Sequence, residues 1–392
     1  MVIFDFILLS ICIIFLVFLA YYFFLAVAGF WPAEKKHNKN LPKNRLTIIV
    51  PAHNEEKVIA NTLTSLKQID YPQEFVNIVV IADNCKDRTA AIVRSFDMEC
   101  LVRNDTANPG KGQALAWAFS ILLKRNDGDA FVIVDADTIV ESNLLAVMNN
   151  YLNDGANVIQ SYYDVLKPAN SPMSSLIFLG FTISRNLKYR GRSRLGWSVN
   201  LVGNGMCFSR DIIERFGWGA FSISEDLEYQ LQLLMNGISV VFVPETKVYG
   251  EMASSFRGSH RQRSRWDIGK YRLRNHYVPL LFVKGFKERK MPCFDAILEL
   301  IIPPYTIYAG ISFLLFVIYL MLNGPTGFQF YLWIFLTGGI FIYTLIGLII
   351  AKAKFRVYFN LLYIPLFIIW RIFIAFGSLF AEGKTWVKTD RA

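Results

Sequence analysis

Four long apolar runs mark the two ends of the chain. They cover residues 2–31, 294–322, 328–351 and 357–380. Each exceeds or reaches the ~20 residues that a helix needs to cross the hydrocarbon core of a bilayer. The pattern predicts a transmembrane helix in residues 1–31 and C-terminal transmembrane helices within residues 294–381. The first run is longer than the apolar part of a signal peptide, and no Lys or Arg precedes it, so we predict that it is retained.

The last apolar run contains Pro365 and Arg371. A proline and a buried charge both favour a helix that breaks, re-enters the membrane or packs inside a bundle. The basic residues Lys35, Lys36 and Lys39 directly follow the first run, which predicts that this end faces the cytoplasm. We also predict a cytoplasmic C-terminus, although an ordinary fourth span would place the basic tail outside.

Between the apolar ends, short β-branched runs alternate with helical periodicity over residues 46–247. We predict strands at residues 47–50, 78–82, 131–134 and 239–243, and helices at residues 55–68 and 112–124. Such alternation is typical of an α/β domain with a mostly parallel, Rossmann-like sheet. Ligands of these sheets bind beyond the carboxyl ends of the strands.

The flanking segments are polar or basic. Residues 32–45 form a basic linker and residues 382–392 a polar tail. Residues 248–293 are rich in Arg and Lys interleaved with aromatic residues, which favours an amphipathic segment on the membrane surface. A solvated basic helix would have the same composition.

The apolar share of 54% is high for a soluble chain of 392 residues and indicates contact with membrane lipids. The net charge of +10 fits an anionic membrane surface or a phosphate-bearing substrate. The chain has no recognisable nucleic-acid-binding motif, so we predict no nucleic-acid partner. Five scattered cysteines without a CxxC pair are typical of a reducing compartment.

Three motifs precede predicted helices in the first half of the domain. Pro51, His53 and Glu55 lie in VPAHNEE, where the acids can also simply complement a helix dipole. Asp83 ends an apolar run in IADNCKDRT, where it can bind a base or ribose or form a turn. Lys111 lies in a Gly-Lys-Gly turn that opens a helix and can attract an anion, although the P-loop spacing is absent.

Paired carboxylates follow another predicted strand. Asp135 and Asp137 lie in VDADT, separated by one residue. Carboxylates at the edge of a sheet suit Mg²⁺ or Mn²⁺ bridged to a diphosphate. A single DxD also occurs by chance in turns, so its place after a strand and after the other motifs is what favours a metal site.

Two further motifs lie late in the domain. Glu225 and Asp226, in SISEDLEYQLQLL, fall in the first turn of a predicted helix, where Asp226 can act as a general base or complement the dipole. Gln262, Arg265 and Trp266 form QRSRW. Arg can clamp a phosphate and Trp can stack on a sugar, although both residues are also common membrane-interface anchors.

These motifs, in this order, resemble those of the membrane-embedded family-2 glycosyltransferases with a GT-A fold. The group includes cellulose, chitin, hyaluronan and poly-N-acetylglucosamine synthases. The resemblance covers roughly residues 47–266. It implies a GT-A catalytic domain with transmembrane helices at both ends, a UDP-sugar donor and a divalent cation. It also implies an inverting transfer to a growing β-linked glycan in the cell membrane, with the catalytic domain in the cytoplasm.

The resemblance assigns roles by position. Asp226 would be the catalytic base and Asp137 the metal ligand, with Glu225 beside the base. Residues on the donor and acceptor sides would be Pro51, His53, Glu55, Asp83, Lys111, Asp135, Gln262, Arg265 and Trp266. The stretch 202–208, VGNGMCF, resembles the loop at the acceptor opening.

Two alternatives remain open. The same motifs occur in ceramide glucosyltransferases, which transfer one sugar to a lipid, and three C-terminal apolar runs are few for a wide polymer channel. A transporter with a nucleotide-binding domain is a third interpretation, but it would leave the carboxylate series without a chemical use. The sequence predicts neither the sugar, the linkage nor the oligomeric state.

Overall fold

The structure is a computed structural model that describes residues 2–30, 42–125, 128–251 and 256–380. The predicted linker lies mostly outside the described residues, and the predicted polar tail lies entirely outside them. The side chain of Gln262 is also outside the described part of the structure.

In the described residues, eight strands form one mixed sheet with the order β3-β2-β1-β4-β7-β6-β8-β5. The strands are β1 (Leu46–Ala52), β2 (Val76–Asp83), β3 (Glu99–Arg103), β4 (Ala130–Ile133), β5 (Thr138–Val140), β6 (Val158–Val165), β7 (Met206–Ser209) and β8 (Val241–Gly250). The pairs β1–β2, β1–β4, β2–β3 and β6–β8 are parallel, whereas β4–β7, β6–β7 and β5–β8 are antiparallel.

The sheet is therefore more mixed than the sequence predicts. All four predicted strands exist, but β3, β5, β6 and β7 were not predicted. Strand β8 also runs to Gly250, so it crosses the predicted domain boundary at residue 247. Its second half alternates buried and partly exposed side chains because it pairs with β5 on one side and β6 on the other.

Helices cover both faces of the sheet and build the two ends of the chain. The α-helices are α1 (Val2–Phe30), α2 (Ile59–Lys67), α3 (Thr89–Ser95), α4 (Lys111–Arg125), α5 (Leu144–Asn153), α6 (Pro172–Ile183), α7 (Arg190–Arg194), α8 (Arg210–Phe216), α9 (Glu225–Met235), α10 (Phe256–Glu288), α11 (Met291–Ile301), α12 (Tyr305–Asn323), α13 (Gly327–Ile350), α14 (Phe355–Asn360) and α15 (Ile364–Phe380). Short 3₁₀ turns lie at Gln73–Phe75 and Leu361–Tyr363, and a π-helical stretch, Ser184–Tyr189, joins α6 to α7.

Each face of the sheet has its own apolar core. Phe131 and Phe208 lie in the core beneath α4, whereas Ile48 and Val132 lie in the core beneath α2 and α5. These four side chains are fully buried, which follows from a sheet that is covered on both faces.

Four helical segments in the described residues are long and apolar enough to cross a membrane. They are Ile3–Phe30, Tyr305–Asn323, Gly327–Ile350 and Phe355–Ile374. The apolar run over residues 294–322 is divided into two helices, α11 and α12. The chain is extended at Ile302, and Pro303 and Pro304 lack the amide hydrogens that a continuous helix needs.

The last apolar run is broken, as its composition predicts. Helix α14, a 3₁₀ turn and α15 follow one another, with Pro365 in the first turn of α15. Asn360 donates a hydrogen bond to Ser175 of α6, and Arg371 forms a buried ion pair with Asp267 of α10. The start and the middle of this run therefore both contact elements that pack against the α/β domain.

A buried polar cluster joins the α/β domain to the apolar helices. Arg192 contacts Asp295 at 3.0 Å and Glu299 at 2.7 Å, and Lys188 contacts Glu299 at 2.8 Å. Tyr21 of α1 donates a hydrogen bond to Asp295. Charges removed from water need such partners, so this cluster fixes how the domain sits against α1 and α11.

Candidate active site

One cavity at the carboxyl ends of β1, β2 and β4 collects nearly every residue that the sequence singled out. The lining includes Pro51, His53, Glu55, Asp83, Lys111, Asp135, Asp137, Glu225, Asp226, Arg265 and Trp266. Gln262 lies on α10, but its side chain is outside the described residues. The motifs come from six distant parts of the sequence. Their convergence in one cavity agrees with the prediction that they form one site.

The loop after β1 is held in shape by the loop after β2. His53 Nδ1 lies 2.7 Å from the carbonyl oxygen of Asp83, which requires that this nitrogen donate the hydrogen bond. Asn54 has a φ of 55° and accepts a hydrogen bond from the Lys86 amide, so it does not cap the next helix. That helix, α2, therefore begins at Ile59 rather than at the predicted residue 55.

Asp83 is the last residue of β2 and is almost completely buried. Its Oδ1 accepts a hydrogen bond of 2.6 Å from Arg103 Nη1 and one of 3.0 Å from Asn84 Nδ2. Arg103 also binds Asp105 through Nη2, which fixes the guanidinium between two loops. The ion pair with Arg103 therefore fixes the Asp83 carboxylate at the edge of the cavity.

Lys111 begins α4 and reaches across the cavity. Its ammonium group forms an ion pair with Asp135 and donates a hydrogen bond to the carbonyl oxygen of Gly203. Burial by itself lowers the pKa of Lys111, but Asp135, Glu225 and Asp226 raise it, and the net shift is upward. The lysine is therefore a fixed positive charge among carboxylates.

Asp135 and Asp137 follow β4 and both face the cavity. The Asp135 amide donates a hydrogen bond to Asn204, whose own amide group binds Thr138, so the turn that carries both acids is anchored to the neighbouring loop. In the described residues, no group of three or more acidic, His or Cys side chains could hold a metal by itself. Two hard carboxylates nevertheless suit Mg²⁺ or Mn²⁺ if the diphosphate and water supply the remaining ligands.

Glu225 and Asp226 begin α9 and line the same cavity. Desolvation raises the pKa of both carboxyl groups, and the neighbouring Asp226 raises that of Glu225 further, whereas Lys111 lowers both. Asp226 Oδ1 accepts a hydrogen bond from the Leu227 amide, which leaves Oδ2 directed toward Gly203. A half-buried carboxylate with a raised pKa is a suitable proton acceptor near neutral pH.

Helix α10 closes the cavity from the side of the apolar helices. Arg265 and Trp266 line the cavity, and Gly269 packs against Ser224, just before Glu225. Ser224 occupies the N-cap position of α9, but its side chain does not cap that helix. The contact with Gly269 instead holds α10 close to the start of α9.

The sequence did not single out two further lining residues. Tyr163 lies in β6, and Glu251 immediately follows β8, both strands on the far side of β7 from β4. Nothing in the local pattern marks Tyr163, whose strand was not predicted. Glu251 follows the last residue of β8 directly, so it could have been predicted as a site residue only if the end of that strand had been placed correctly.

The chain belongs to the glycosyltransferases, in the family described as glycosyltransferase like family 2, whose model matches residues 42–269. The fold is a GT-A-like fold with apolar helices at both ends, as the motifs predicted. The enzyme interpretation is confirmed, and the transporter interpretation is not supported.

Individual relatives and one solved structure are similar to this chain. A probable glycosyltransferase YdaM of Bacillus subtilis is 28% identical over 300 residues, which cover 71% of this chain and 69% of the relative. The β-monoglucosyldiacylglycerol synthase of Trichormus variabilis is 27% identical over 66% of this chain but only 55% of its own length. The poly-β-1,6-N-acetyl-D-glucosamine synthase of Staphylococcus aureus is 22% identical over 75% of this chain and 70% of its own.

The solved structure is the mannosyltransferase PcManGT of Pyrobaculum calidifontis in complex with GDP-mannose and Mn²⁺. It superposes with a TM-score of 0.58 at 20% identity and covers 96% of this chain and 99% of that chain. At this identity the likeness supports the fold alone.

Proposed function

We propose that the protein is a membrane-bound, inverting glycosyltransferase that moves a sugar from a UDP-sugar to a growing β-linked glycan. The observation that carries the proposal is the one cavity lined by the half-buried carboxylates of Glu225 and Asp226 together with Lys111, Asp135 and Asp137. A cavity that combines a proton acceptor with groups suited to a diphosphate and its metal fits sugar transfer from a nucleotide diphosphate.

The donor would lie along the carboxyl ends of β1, β2 and β4. Asp83 and the loop with Pro51, His53 and Glu55 would hold the nucleoside, since they line that end of the cavity. Lys111 would bind the diphosphate together with Asp135, its present partner. A divalent cation held by Asp137 would neutralise the departing diphosphate.

The acceptor would approach from the side of α9 and α10. Asp226 would take the proton from the acceptor hydroxyl as its oxygen attacks the anomeric carbon from the face opposite the diphosphate. The direct displacement inverts that carbon. Trp266 would stack on the acceptor sugar and Arg265 would contact the diphosphate, with Gln262 on the same helix.

Transfer of one sugar to a lipid is the second candidate. The relative from Trichormus variabilis is named for a glycolipid product, whereas the relative from Staphylococcus aureus is named for a polysaccharide. We infer the glycan acceptor from the motif series and keep the lipid acceptor because α10 brings the cavity next to apolar helices. The α/β domain would lie in the cytoplasm, where nucleotide sugars are present.

The test is incubation of the purified protein in lipid with a panel of UDP-sugars and GDP-mannose, with and without diacylglycerol, followed by sizing of labelled product. A ladder of long products from one UDP-sugar supports the glycan proposal. A single lipid-soluble product supports the second candidate. Transfer from GDP-mannose alone would contradict the UDP assignment.

The catalytic role of Asp226 is tested by Asp226→Asn. Loss of a positioned base lowers turnover by ~100-fold or more, while UDP binding and the melting temperature should be retained. Asp211→Asn, on the exposed surface of α8, is the control. Transfer by Asp226→Asn at a rate near that of the parent would show that Asp226 is not the base.

A further inference from the structure

Arg263 is a half-buried cation that forms no ion pair within the described residues. It lies on α10, three residues before Trp266, so the two side chains are neighbours on the helix surface. Its Nε is buried and has no hydrogen-bond partner. Its guanidinium lies 5.6 Å from the centre of the Phe367 ring of α15.

The nearest carboxylate, one helical turn further along α10, is already occupied. Asp267 accepts hydrogen bonds from Arg371 at 2.9 Å and 3.2 Å, one on each oxygen. Both partners of this ion pair are almost completely buried. Arg371 therefore occupies this carboxylate, and Arg263 is left without an ion pair in the part of the chain that the structure describes.

A guanidinium whose Nε is cut off from water and from any hydrogen-bond acceptor is unfavourable in a protein. Contact with an aromatic ring offsets only part of that cost. Burial, and then the neighbouring Arg371, lower the pKa of Arg263, whereas Asp267 raises it. Since arginine remains protonated in proteins, an anion that reaches the half-buried guanidinium would stabilise it.

The surroundings indicate which kind of anion fits. Arg263 lies against α15, and the outer face of α15 exposes Leu366, Ile369 and Phe373. This helix belongs to a segment long and apolar enough for a membrane. An anion with an apolar tail suits a cation that lies beside such a helix.

We propose that Arg263 binds the phosphate group of an anionic membrane lipid between α10 and α15, with the lipid chains along the exposed face of α15. A phosphate oxygen accepts charge-assisted hydrogen bonds from the guanidinium. The site lies beside Trp266 and outside the donor cavity, and it does not depend on which sugar or acceptor the enzyme uses.

The test compares three probes on the purified full chain in neutral detergent, without donor. Dioctanoyl phosphatidic acid carries a phosphate and a tail, dioctanoylglycerol only the tail, and inorganic phosphate only the anion. A ligand that binds the folded state raises the melting temperature with its concentration. We expect such a shift with phosphatidic acid alone.

The variants Arg263→Gln and Arg263→Lys identify the residue. Arg263→Gln should bind phosphatidic acid about tenfold or more weakly, the usual worth of a hydrogen bond to a charged group. Arg263→Lys should bind with intermediate affinity, and Arg272→Gln, exposed on the same helix, like the parent. Without lipid, Arg263→Gln should melt no lower than the parent, because it removes an uncompensated charge.

Four outcomes would overturn the proposal. Equal shifts with dioctanoylglycerol would show that the phosphate is not recognised, and a shift with inorganic phosphate alone would indicate a soluble anion site. Equal phosphatidic acid affinity in Arg263→Gln and the parent would exclude Arg263. Arg263→Gln could instead melt far below the parent without lipid, which would show that the charge is needed for folding. In that case Arg263→Lys decides: unchanged affinity of this variant for phosphatidic acid would exclude specific phosphate binding by Arg263.

Discussion

Gly203 leaves open the space beside Asp226: a Cβ atom at this glycine would lie 3.2 Å from Asp226 Oδ2 and 3.5 Å from Lys111 Nζ. The glycine has a φ of 77°, which side chains rarely tolerate. Asp226, the proposed base, and Lys111, the proposed diphosphate ligand, thus approach each other across a residue that has no side chain.

The first prediction is that Gly203→Ala lowers turnover by about tenfold or more, because displacement of a positioned group by a fraction of an ångström is costly in catalysis. UDP binding, measured by calorimetry, should weaken less. Gly196→Ala is a matched control, since Gly196 also has a positive φ, of 69°, but has nothing within 4 Å of the added atom. Equal turnover in the two variants would mean that backbone strain alone explains the effect.

The second prediction concerns pH and Glu225. Because burial, and then Asp226, raise its pKa above the ordinary value of 4.5, the folded protein holds this proton more tightly than the unfolded chain. Stability should therefore fall as pH rises from about 4.5 toward the higher folded pKa. Glu225→Gln removes this loss, so its melting temperature should exceed that of the parent at neutral pH and approach it near pH 4.5. Parallel melting profiles in both proteins would contradict the raised pKa.

The third prediction is that turnover requires a divalent cation through Asp137. EDTA should abolish sugar transfer, and added Mn²⁺ or Mg²⁺ should restore it. Asp137→Ala should abolish transfer both with EDTA and with added metal. Its melting temperature and membrane insertion should remain close to those of Asp211→Asn, a control at an exposed position. Full activity in EDTA would exclude the metal.

The fourth prediction is a cytoplasmic C-terminus. Asn360 and Arg371 both contact elements packed on the α/β domain, so the last apolar run does not move directly away from that domain. Lys388→Cys should resist a membrane-impermeant thiol reagent in intact cells. Thr326→Cys, in the loop between α12 and α13, should react. The native cysteines are buried or half-buried, so the parent gives the background. Labelling at position 388 would indicate an ordinary last span.

The site was more predictable than the fold around it. Asp83 and Asp135 stand at or just after buried strands, and such apolar runs are visible in a sequence. Strand β5 has three residues and β7 four, too few for a period to be recognised. The start of α2 was misplaced because the amides of Glu55 and Glu56 are not bound by a helix cap. They donate hydrogen bonds to Thr89 and Asp87, which are distant in the sequence.

The polar cluster that joins the α/β domain to the apolar helices also sets an order on biosynthesis. Arg192 emerges from the ribosome after Tyr21 but well before Asp295 and Glu299, which neutralise it. Until α11 is translated, the newly made domain carries a guanidinium that has no carboxylate from this cluster. Domains fold as they are synthesised, yet this domain reaches its final position against α1 only after Glu299 has been translated.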